Sequence, residues 1–285
     1  MLVRIALIIF IGISTFSFVS CHSDVEMEES ETLPYEEMYI SNVRILRFIP
    51  SEEIATGHSI MIFPGGAYEN VCWESEGLYW ATYFTELGLN SYVVDYHLPA
   101  GNPEIPLQDG ITALKYVRKQ SPEAKIGIIG MSAGGNLAAL LSTQSPIGIR
   151  PDFQILFYPV ISLAWAYTHY TTRLSLIGDT EDDEIVRRYS PEYSIDEKTP
   201  SAFISVCKDD DIVNPVNSSL YHMALLNNGV QSILKVYDKG GHGWNDRSPF
   251  MNLLKADLTE WLTHELESDN SQESNIIPLI VHEGI

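Results

Sequence analysis

The segment KIGIIGMSAGGNLAALL, residues 125–141, joins an apolar run to an apolar helical pattern through a turn of small residues. Ser132 lies in this turn between Gly130 and Gly134, which completes the pattern Gly-x-Ser-x-Gly. Where a strand passes directly into a helix at this pattern, the turn holds a serine hydroxyl exposed as a nucleophile. Small residues are also common in ordinary strand-to-helix turns, so the rest of the sequence has to distinguish catalysis from close packing.

Short apolar runs recur along the chain and alternate with helical patterns. The runs are VRILRFI (43–49), SIMIF (59–63), SYVVDY (91–96), KIGIIG (125–130), FQILFY (153–158), SAFISV (201–206) and SILKVY (232–237). The helical patterns cover 75–88, 109–120, 133–143 and 217–229. Continuous apolar runs are typical of strands buried on both faces. Their alternation with helices predicts an α/β domain over residues 35–266, with a mainly parallel sheet covered by helices on both faces.

One connection between predicted strands is unusually long. Residues 159–200 contain the aromatic stretch LAWAYTHYTTRLSLIG and then an acidic run with helical character. Connections of this length in a compact domain usually have a function of their own. We therefore expect this segment to cover a site or to bind a ligand.

A catalytic serine needs a histidine as its base, and in this type of fold the chain order is serine, acid, histidine. His242 lies in the glycine-rich stretch KGGHGW directly after a predicted strand, and loops at strand ends often carry functional residues. His169 precedes the expected acid, while His222 and His264 lie in helical patterns. His242 is therefore the predicted base.

The acid is expected in the loop after the run SAFISV. That loop reads KDDDIV, so Asp209, Asp210 and Asp211 all compete for the role, and spacing alone does not choose among them. Asp238, four residues before His242, is a weaker candidate. The competing interpretation of the three consecutive aspartates is a solvated acidic turn, which is expected to apply to two of them.

An oxyanion hole needs backbone N–H groups directed at the developing negative charge. One donor is expected from Ala133, the residue after the serine, and a second from a loop after an early strand. The stretch IMIFPGGAY (60–68) provides such a loop and makes Gly66 and Ala67 the candidates. Glycines there let the backbone approach a substrate closely, although an ordinary glycine-rich turn would look the same.

With these residues identified, the chain resembles α/β-hydrolase esterases of the acetyl-xylan-esterase-like group, which is related to hormone-sensitive-lipase-like and prolyl-oligopeptidase-type hydrolases. The resemblance extends from about Asn42 to about Leu266. It is carried by FPGGAYENV, VVDYHLPA, PLQDGITALKYVR, GMSAGGNLAA, YSPEYSIDEKTPSAF, DDDIVNPVNSS and KGGHGW.

The resemblance implies a role for each site residue. Ser132 would be the nucleophile, His242 the base and Asp210 the acid, with Gly66 and Ala133 as oxyanion donors. The reaction would be acyl transfer in two steps without a cofactor or a metal.

Three positions depart from the family pattern. Ala67 replaces a third glycine, His97 replaces an arginine and Asn214 replaces a proline. His97 is expected to alter a structural ion pair.

The same resemblance implies hydrolysis of acetyl or other small acyl esters on xylan or a related carbohydrate. Tyr68, Trp73 and Trp244 lie beside the motif loops and Trp165 lies in the long connection, so each could stack on a sugar ring. Packing is the competing role for each of them. A prolyl-oligopeptidase-type serine peptidase and a non-catalytic binding protein on the same fold are the alternative functions.

Composition limits the possible partners. The formal charge of −21 and the lack of Lys and Arg clusters argue against nucleic-acid binding. No CxxC pair, HExxH motif or His-rich tract points to a metal site. Cys72 and Cys207 are expected to be free thiols, because two cysteines form no disulfide framework.

The N-terminal residues predict export. Residues 1–20 combine Arg4 with a long apolar run and small residues, which is typical of a secretory signal peptide. Cys21 follows directly and resembles a bacterial lipidation site, so the only expected membrane contact is a lipid anchor. Residues 21–34 would form an acidic tether and residues 267–285 a C-terminal tail. The expected location is secreted, periplasmic or on the cell envelope.

Overall fold

A computed structural model describes residues 34–244 and 248–268. Within these ranges eight strands form one sheet in the order β1-β2-β4-β3-β5-β6-β7-β8. The strands are β1 (Glu36–Ile40), β2 (Val43–Phe48), β3 (Ser59–Phe63), β4 (Asn90–Asp95), β5 (Ile126–Met131), β6 (Phe153–Phe157), β7 (Ser201–Cys207) and β8 (Ser232–Tyr237). Strands β1, β2 and β4 pair antiparallel, and every other pairing is parallel.

Helices connect the strands and cover both faces of the sheet. They are α1 (Tyr79–Glu86), α2 (Glu104–Gln120), α3 (Ser132–Gln144), α4 (Tyr170–Ile177), α5 (Asp183–Arg188), α6 (Val216–Asn227) and α7 (Met251–Glu267). A π-helical turn, Trp73–Leu78, precedes α1, and two short 3₁₀ turns lie at Ile147–Ile149 and Pro191–Tyr193. One apolar core joins the sheet to α2, α3 and α6, and a second joins it to α1 and α7.

The mainly parallel α/β architecture predicted from the alternating runs is confirmed. Every residue of β3, β5 and β6 is buried, as continuous apolar runs require of central strands. Because the parallel strands all point the same way, the loops after β3, β5, β7 and β8 lie along one edge of the sheet. These are the loops that carry the predicted site residues.

Two element boundaries differ from the sequence prediction. Strand β1 has no apolar run, because it is a largely exposed edge strand whose Glu37 pairs with Arg44 of β2 at 2.8 Å. Helix α2 begins at Glu104 rather than at residue 109. Pro106 conceals this start, although a proline is tolerated in a first turn where backbone N–H groups have no intrahelical acceptor.

His97, which replaces the arginine of the family pattern, pairs with Asp109 of helix α2. Its Nδ1 lies 2.8 Å from Asp109 Oδ2, and its backbone N–H donates to the same oxygen at 2.7 Å. The histidine at this position therefore makes its own pair with the Asp109 carboxylate.

Several predictions concern residues outside the described ranges. The signal peptide, the lipidation site at Cys21 and nearly all of the tether and tail belong to this group. No described helix is long and apolar enough to cross a membrane. Cys72 and Cys207 are both free.

Candidate active site

The turn between β5 and α3 holds Ser132 in a conformation that serine rarely adopts. Its φ of 53° lies in the left-handed region, at the residue where the strand ends and the helix begins. Such a conformation costs about 1–3 kcal/mol and persists only where surrounding contacts hold it. Here the Ser132 carbonyl accepts a hydrogen bond from the Val160 N–H at 3.0 Å, which anchors the start of the long connection to the turn.

The neighbouring glycines make this turn possible. A Cβ atom at Gly134 would lie 2.0 Å from the Phe63 carbonyl oxygen, and a Cβ at Gly130 would lie 2.2 Å from the Gly134 carbonyl oxygen. No side chain fits at either position. Close packing and the placement of the Ser132 hydroxyl 2.9 Å from His242 are therefore two consequences of the same turn rather than competing explanations.

Ser132, His242 and Asp210 lie in one chain of hydrogen bonds. His242 Nε2 lies 2.9 Å from Ser132 Oγ, and His242 Nδ1 lies 2.7 Å from Asp210 Oδ2. The other carboxylate oxygen, Asp210 Oδ1, accepts the backbone N–H groups of Ile212 at 3.0 Å and Val213 at 2.9 Å. The acid is fully buried and fixed on both oxygens, an arrangement that orients the imidazole for base catalysis.

The structure separates the acidic residues that the sequence left as alternatives. Asp209 Oδ1 accepts the N–H groups of Gly240 at 2.9 Å and Gly241 at 2.8 Å, so it holds the loop that carries His242. Asp211 is exposed, and Asp238 pairs with Lys208 at 2.7 Å on the surface. Of the four candidates, Asp210 alone contacts the imidazole within the described part of the chain.

The other candidate histidines have different partners. His169 Nδ1 lies 2.8 Å from Thr172 Oγ1, and His222 Nδ1 lies 2.9 Å from Ser232 Oγ. Burial lowers the pKa of His169, and the positive charge of His242 adds to this effect. His169 is thus near enough to His242 for the two side chains to interact electrostatically. Since His169 belongs to the long connection, this connection lies close to the site.

The loop after β3 packs directly against the serine. A Cβ atom at Gly65 would lie 2.9 Å from Ser132 Cβ, and Gly66 and Ala67 adopt positive φ values of 124° and 56°. Neither the Gly66 nor the Ala67 N–H donates to a residue in the described ranges. The Ala133 N–H belongs to the first turn of α3, where N–H groups have no intrahelical acceptor. All three predicted donors are therefore unpaired within the described ranges, and their loop packs against Ser132 through Gly65. Ala67 takes the left-handed conformation that a glycine would favour.

The predicted substrate-binding aromatic residues occupy different environments. Tyr68 is 2% exposed and its hydroxyl donates to Asn136 at 3.0 Å, while Trp244 is 1% exposed and donates to the Gly241 carbonyl at 3.0 Å. Both are packing residues, and Trp244 supports the loop of His242. Trp73 is half-buried beside Arg44, whereas Trp165 is 48% exposed.

Sequence patterns missed two residues that border this site. Glu76 and Tyr158 are both buried, and their side chains form a hydrogen bond of 3.0 Å. The Tyr158 ring packs against the His242 ring with 4.5 Å between centroids. Glu76 lies in the stretch WESEGLYW, where an acidic residue is typical of a solvated helical turn, so only the tertiary structure shows its burial.

The fold agrees with known proteins. A family profile described as alpha/beta hydrolase fold matches residues 60–246. An acetylxylan esterase from Xylanibacter ruminicola is 33% identical over 226 residues, a match that covers 75% of this chain and 47% of that protein. Endo-1,4-beta-xylanase B from Butyrivibrio fibrisolvens is 30% identical over 204 residues, covering 65% of this chain and 32% of that protein.

A solved structure is similar over most of the chain. It is an acetyl ester-xyloside bifunctional hydrolase from Caldicellulosiruptor lactoaceticus, with 30% identity and a TM-score of 0.69, and the match covers 78% of this chain and 88% of that chain. The chain spans about half the length of the curated esterase and about a third of the curated xylanase that it matches. The fold, the order of the motif loops and the family profile together lead to one assignment: the chain belongs to the alpha/beta hydrolase fold family.

Proposed function

We propose that the protein is a carboxylic ester hydrolase that removes acetyl or other small acyl groups from xylan or a related carbohydrate. The observation that carries this proposal is the continuous hydrogen-bond chain from Ser132 through His242 to Asp210. It is the arrangement that serine acyl transfer requires. The names of the acetylxylan esterase and the bifunctional hydrolase among the similar proteins support the substrate class.

The first step acylates the serine. Ser132 Oγ attacks the ester carbonyl while His242 Nε2 takes the hydroxyl proton, and Asp210 stabilises the imidazolium that forms. The carbonyl oxygen becomes negatively charged and accepts hydrogen bonds from the Ala133 N–H and from the loop of Gly66. His242 then donates its proton to the leaving sugar hydroxyl as the C–O bond breaks.

The second step releases the acid. A water molecule takes the place of the departed alcohol and gives a proton to His242 Nε2 as it attacks the acyl carbon. The same oxyanion donors stabilise the second tetrahedral intermediate. Its collapse returns the proton to Ser132 Oγ and frees the carboxylic acid, so no cofactor takes part.

Trp165 supports a carbohydrate as the alcohol part of the substrate. Its ring is exposed on the long connection, whose start is held by the hydrogen bond from the Val160 N–H to the Ser132 carbonyl. The buried Arg173 guanidinium lies 4.1 Å from the ring centroid. The Tyr170 ring stacks beside it with 6.0 Å between centroids. An exposed pair of stacked aromatic rings offers an apolar surface to the face of a sugar. The predicted signal peptide and the predicted lipidation site at Cys21 support a location outside the cytoplasm. This location is part of the proposal.

The proposed activity is tested with three substrates measured side by side. The wild-type protein is expected to release acetate from acetylated xylo-oligosaccharides, to hydrolyse p-nitrophenyl acetate and to leave a proline-containing peptide amide intact. A fluorophosphonate probe is expected to label Ser132, as located by mass spectrometry of the modified peptide. Cleavage of the synthetic ester alone would refute the carbohydrate assignment, cleavage of the peptide would favour a peptidase, and failure to label Ser132 would favour a binding protein.

Replacing Trp165 with alanine is expected to raise KM for acetylated xylo-oligosaccharides roughly 2- to 12-fold, because one aromatic contact contributes about 0.5–1.5 kcal/mol. The kcat/KM for p-nitrophenyl acetate should stay within about twofold of the wild type. Tyr39→Ala is the matched control, because Tyr39 is an exposed aromatic residue on the distant edge strand β1. Equal losses on both esters would show that Trp165 supports the fold rather than the sugar.

A further inference from the structure

A buried carboxylate lies between the loop after β3 and the tyrosine that packs on His242, and it takes no part in the steps above. Glu76 belongs to the π-helical turn Trp73–Leu78 and is 4% exposed. Its Oε2 accepts the backbone N–H of Gly65 at 2.5 Å, and its Oε1 accepts the hydroxyl of Tyr158 at 3.0 Å. Burial of a carboxylate is costly unless its oxygens are hydrogen-bonded, so these two contacts account for its presence in the interior.

The contact to Gly65 fixes the oxyanion loop, which is the segment after β3 that carries Gly65, Gly66 and Ala67. Gly65 lies against Ser132 and immediately precedes Gly66, and its carbonyl accepts the Cys72 N–H at 3.0 Å. The Pro64–Gly65 peptide is therefore held by Glu76, and the Gly65–Gly66 peptide is held by the Cys72 N–H. Because Gly65 joins the two peptides, losing the Glu76 contact would free the residue to rotate and would move the Gly66 N–H relative to the serine.

The contact to Tyr158 fixes the ring beside the catalytic histidine. Tyr158 follows β6 directly, with a φ of 37° that is unusual for a residue with a side chain. Its backbone N–H donates to the Ser205 carbonyl at 2.8 Å, and its ring packs on both His242 and Trp244. Since the ring is held at its hydroxyl by Glu76, the same carboxylate acts on the base as well as on the oxyanion loop.

Electrostatics link Glu76 to the same histidine. Burial raises the pKa of the Glu76 carboxyl, while the hydrogen bonds from Gly65 and Tyr158 and a positive charge on His242 oppose this rise. Glu76 thus lies within electrostatic reach of His242.

We propose that Glu76 is a positioning residue that couples the oxyanion loop to the catalytic histidine. It holds Gly65 with one carboxylate oxygen and Tyr158 with the other, and it touches no substrate. The inference rests on the proposed function, because the geometry that it maintains is that of serine acyl transfer.

The test compares Glu76→Gln with Tyr158→Phe. The amide oxygen of glutamine can still accept the Gly65 N–H, but its NH₂ group cannot accept the Tyr158 hydroxyl. We expect Glu76→Gln to lower kcat for p-nitrophenyl acetate roughly 10- to 100-fold with KM within about twofold, since small displacements of reacting groups reduce rates by this order. The kcat is divided by the number of sites that a fluorophosphonate titrates, so partial unfolding does not count as lost catalysis.

Tyr158→Phe is expected to lower the same kcat less, and the double variant should be no slower than Glu76→Gln alone, because both changes break one shared hydrogen bond. Glu265→Gln is the matched control, since Glu265 is a half-buried carboxylate that accepts the Ser201 hydroxyl at 2.8 Å at the opposite end of β7. Its kcat per titrated site should equal that of the wild type.

A wild-type kcat per titrated site in Glu76→Gln would overturn the proposal. If Glu76→Gln does not fold, Tyr158→Phe decides, and an unchanged kcat in that variant would overturn it equally. If the wild-type protein hydrolyses no ester, the proposed function fails, and the rate at which the fluorophosphonate reacts with Ser132 becomes the measurement. A Glu76→Gln variant that reacts at the wild-type rate would then refute the positioning role separately.

Discussion

Replacing Ser132 with alanine is expected to lower kcat for ester hydrolysis by roughly 10⁶-fold and to leave the fold intact. The change removes the Oγ atom that lies 2.9 Å from His242 Nε2, while the Cβ atom remains to fill the turn. Alanine meets the same backbone requirement as serine at this left-handed position, so the strand-to-helix turn should persist. The measurement is the rate of p-nitrophenyl acetate hydrolysis above a buffer blank, together with the thermal unfolding temperature.

Ser142→Ala provides the matched control for this variant. Ser142 is a buried serine on the same helix, and its hydroxyl donates to the Ala138 carbonyl at 2.9 Å rather than to a catalytic group. Its activity should match that of the wild type. A Ser132→Ala variant that keeps more than about a hundredth of the activity would assign the nucleophile to another residue.

The sequence predicts the fold well because the central strands have to be apolar on both faces. The continuous runs of β3, β5 and β6 identify buried parallel strands without any tertiary information. Edge strand β1 has no such requirement, and its sequence EEMYI is shaped by solvent and by pairing with arginines. Patterns of hydrophobicity therefore predict the interior of the sheet better than its edge.

The candidate site is predictable to the extent that chemistry fixes chain order. A serine on a turn, a glycine-rich loop before it and a histidine after the last strand are each ambiguous, but their order along one edge of a parallel sheet is restrictive. Glu76 and Tyr158 follow no such rule. Their roles depend on a contact between residues 82 positions apart, which no local pattern reveals.

The three consecutive aspartates show the same limit within a single loop. Asp209, Asp210 and Asp211 are chemically identical in sequence, yet the loop directs one at the Gly240–Gly241 backbone, one at the imidazole and one at solvent. The backbone direction at each residue decides this, and residue identity does not encode it. Substitution of each residue separates the three roles by experiment.

Asp210→Asn is expected to lower kcat roughly 10⁴-fold with little change in KM. An asparagine at this position can direct its NH₂ group at His242 Nδ1, which leaves the proton on Nε2 and removes the base from Ser132. Asp209→Asn is the matched control, because its amide oxygen still accepts the N–H groups of Gly240 and Gly241, and its kcat should fall less than about tenfold. Steady-state kinetics on p-nitrophenyl acetate measure all three variants, with Asp211→Asn expected to equal the wild type. If Asp209→Asn showed the larger loss instead, the acid of the triad would be Asp209, and the hydrogen bond between Asp210 and His242 would be structural.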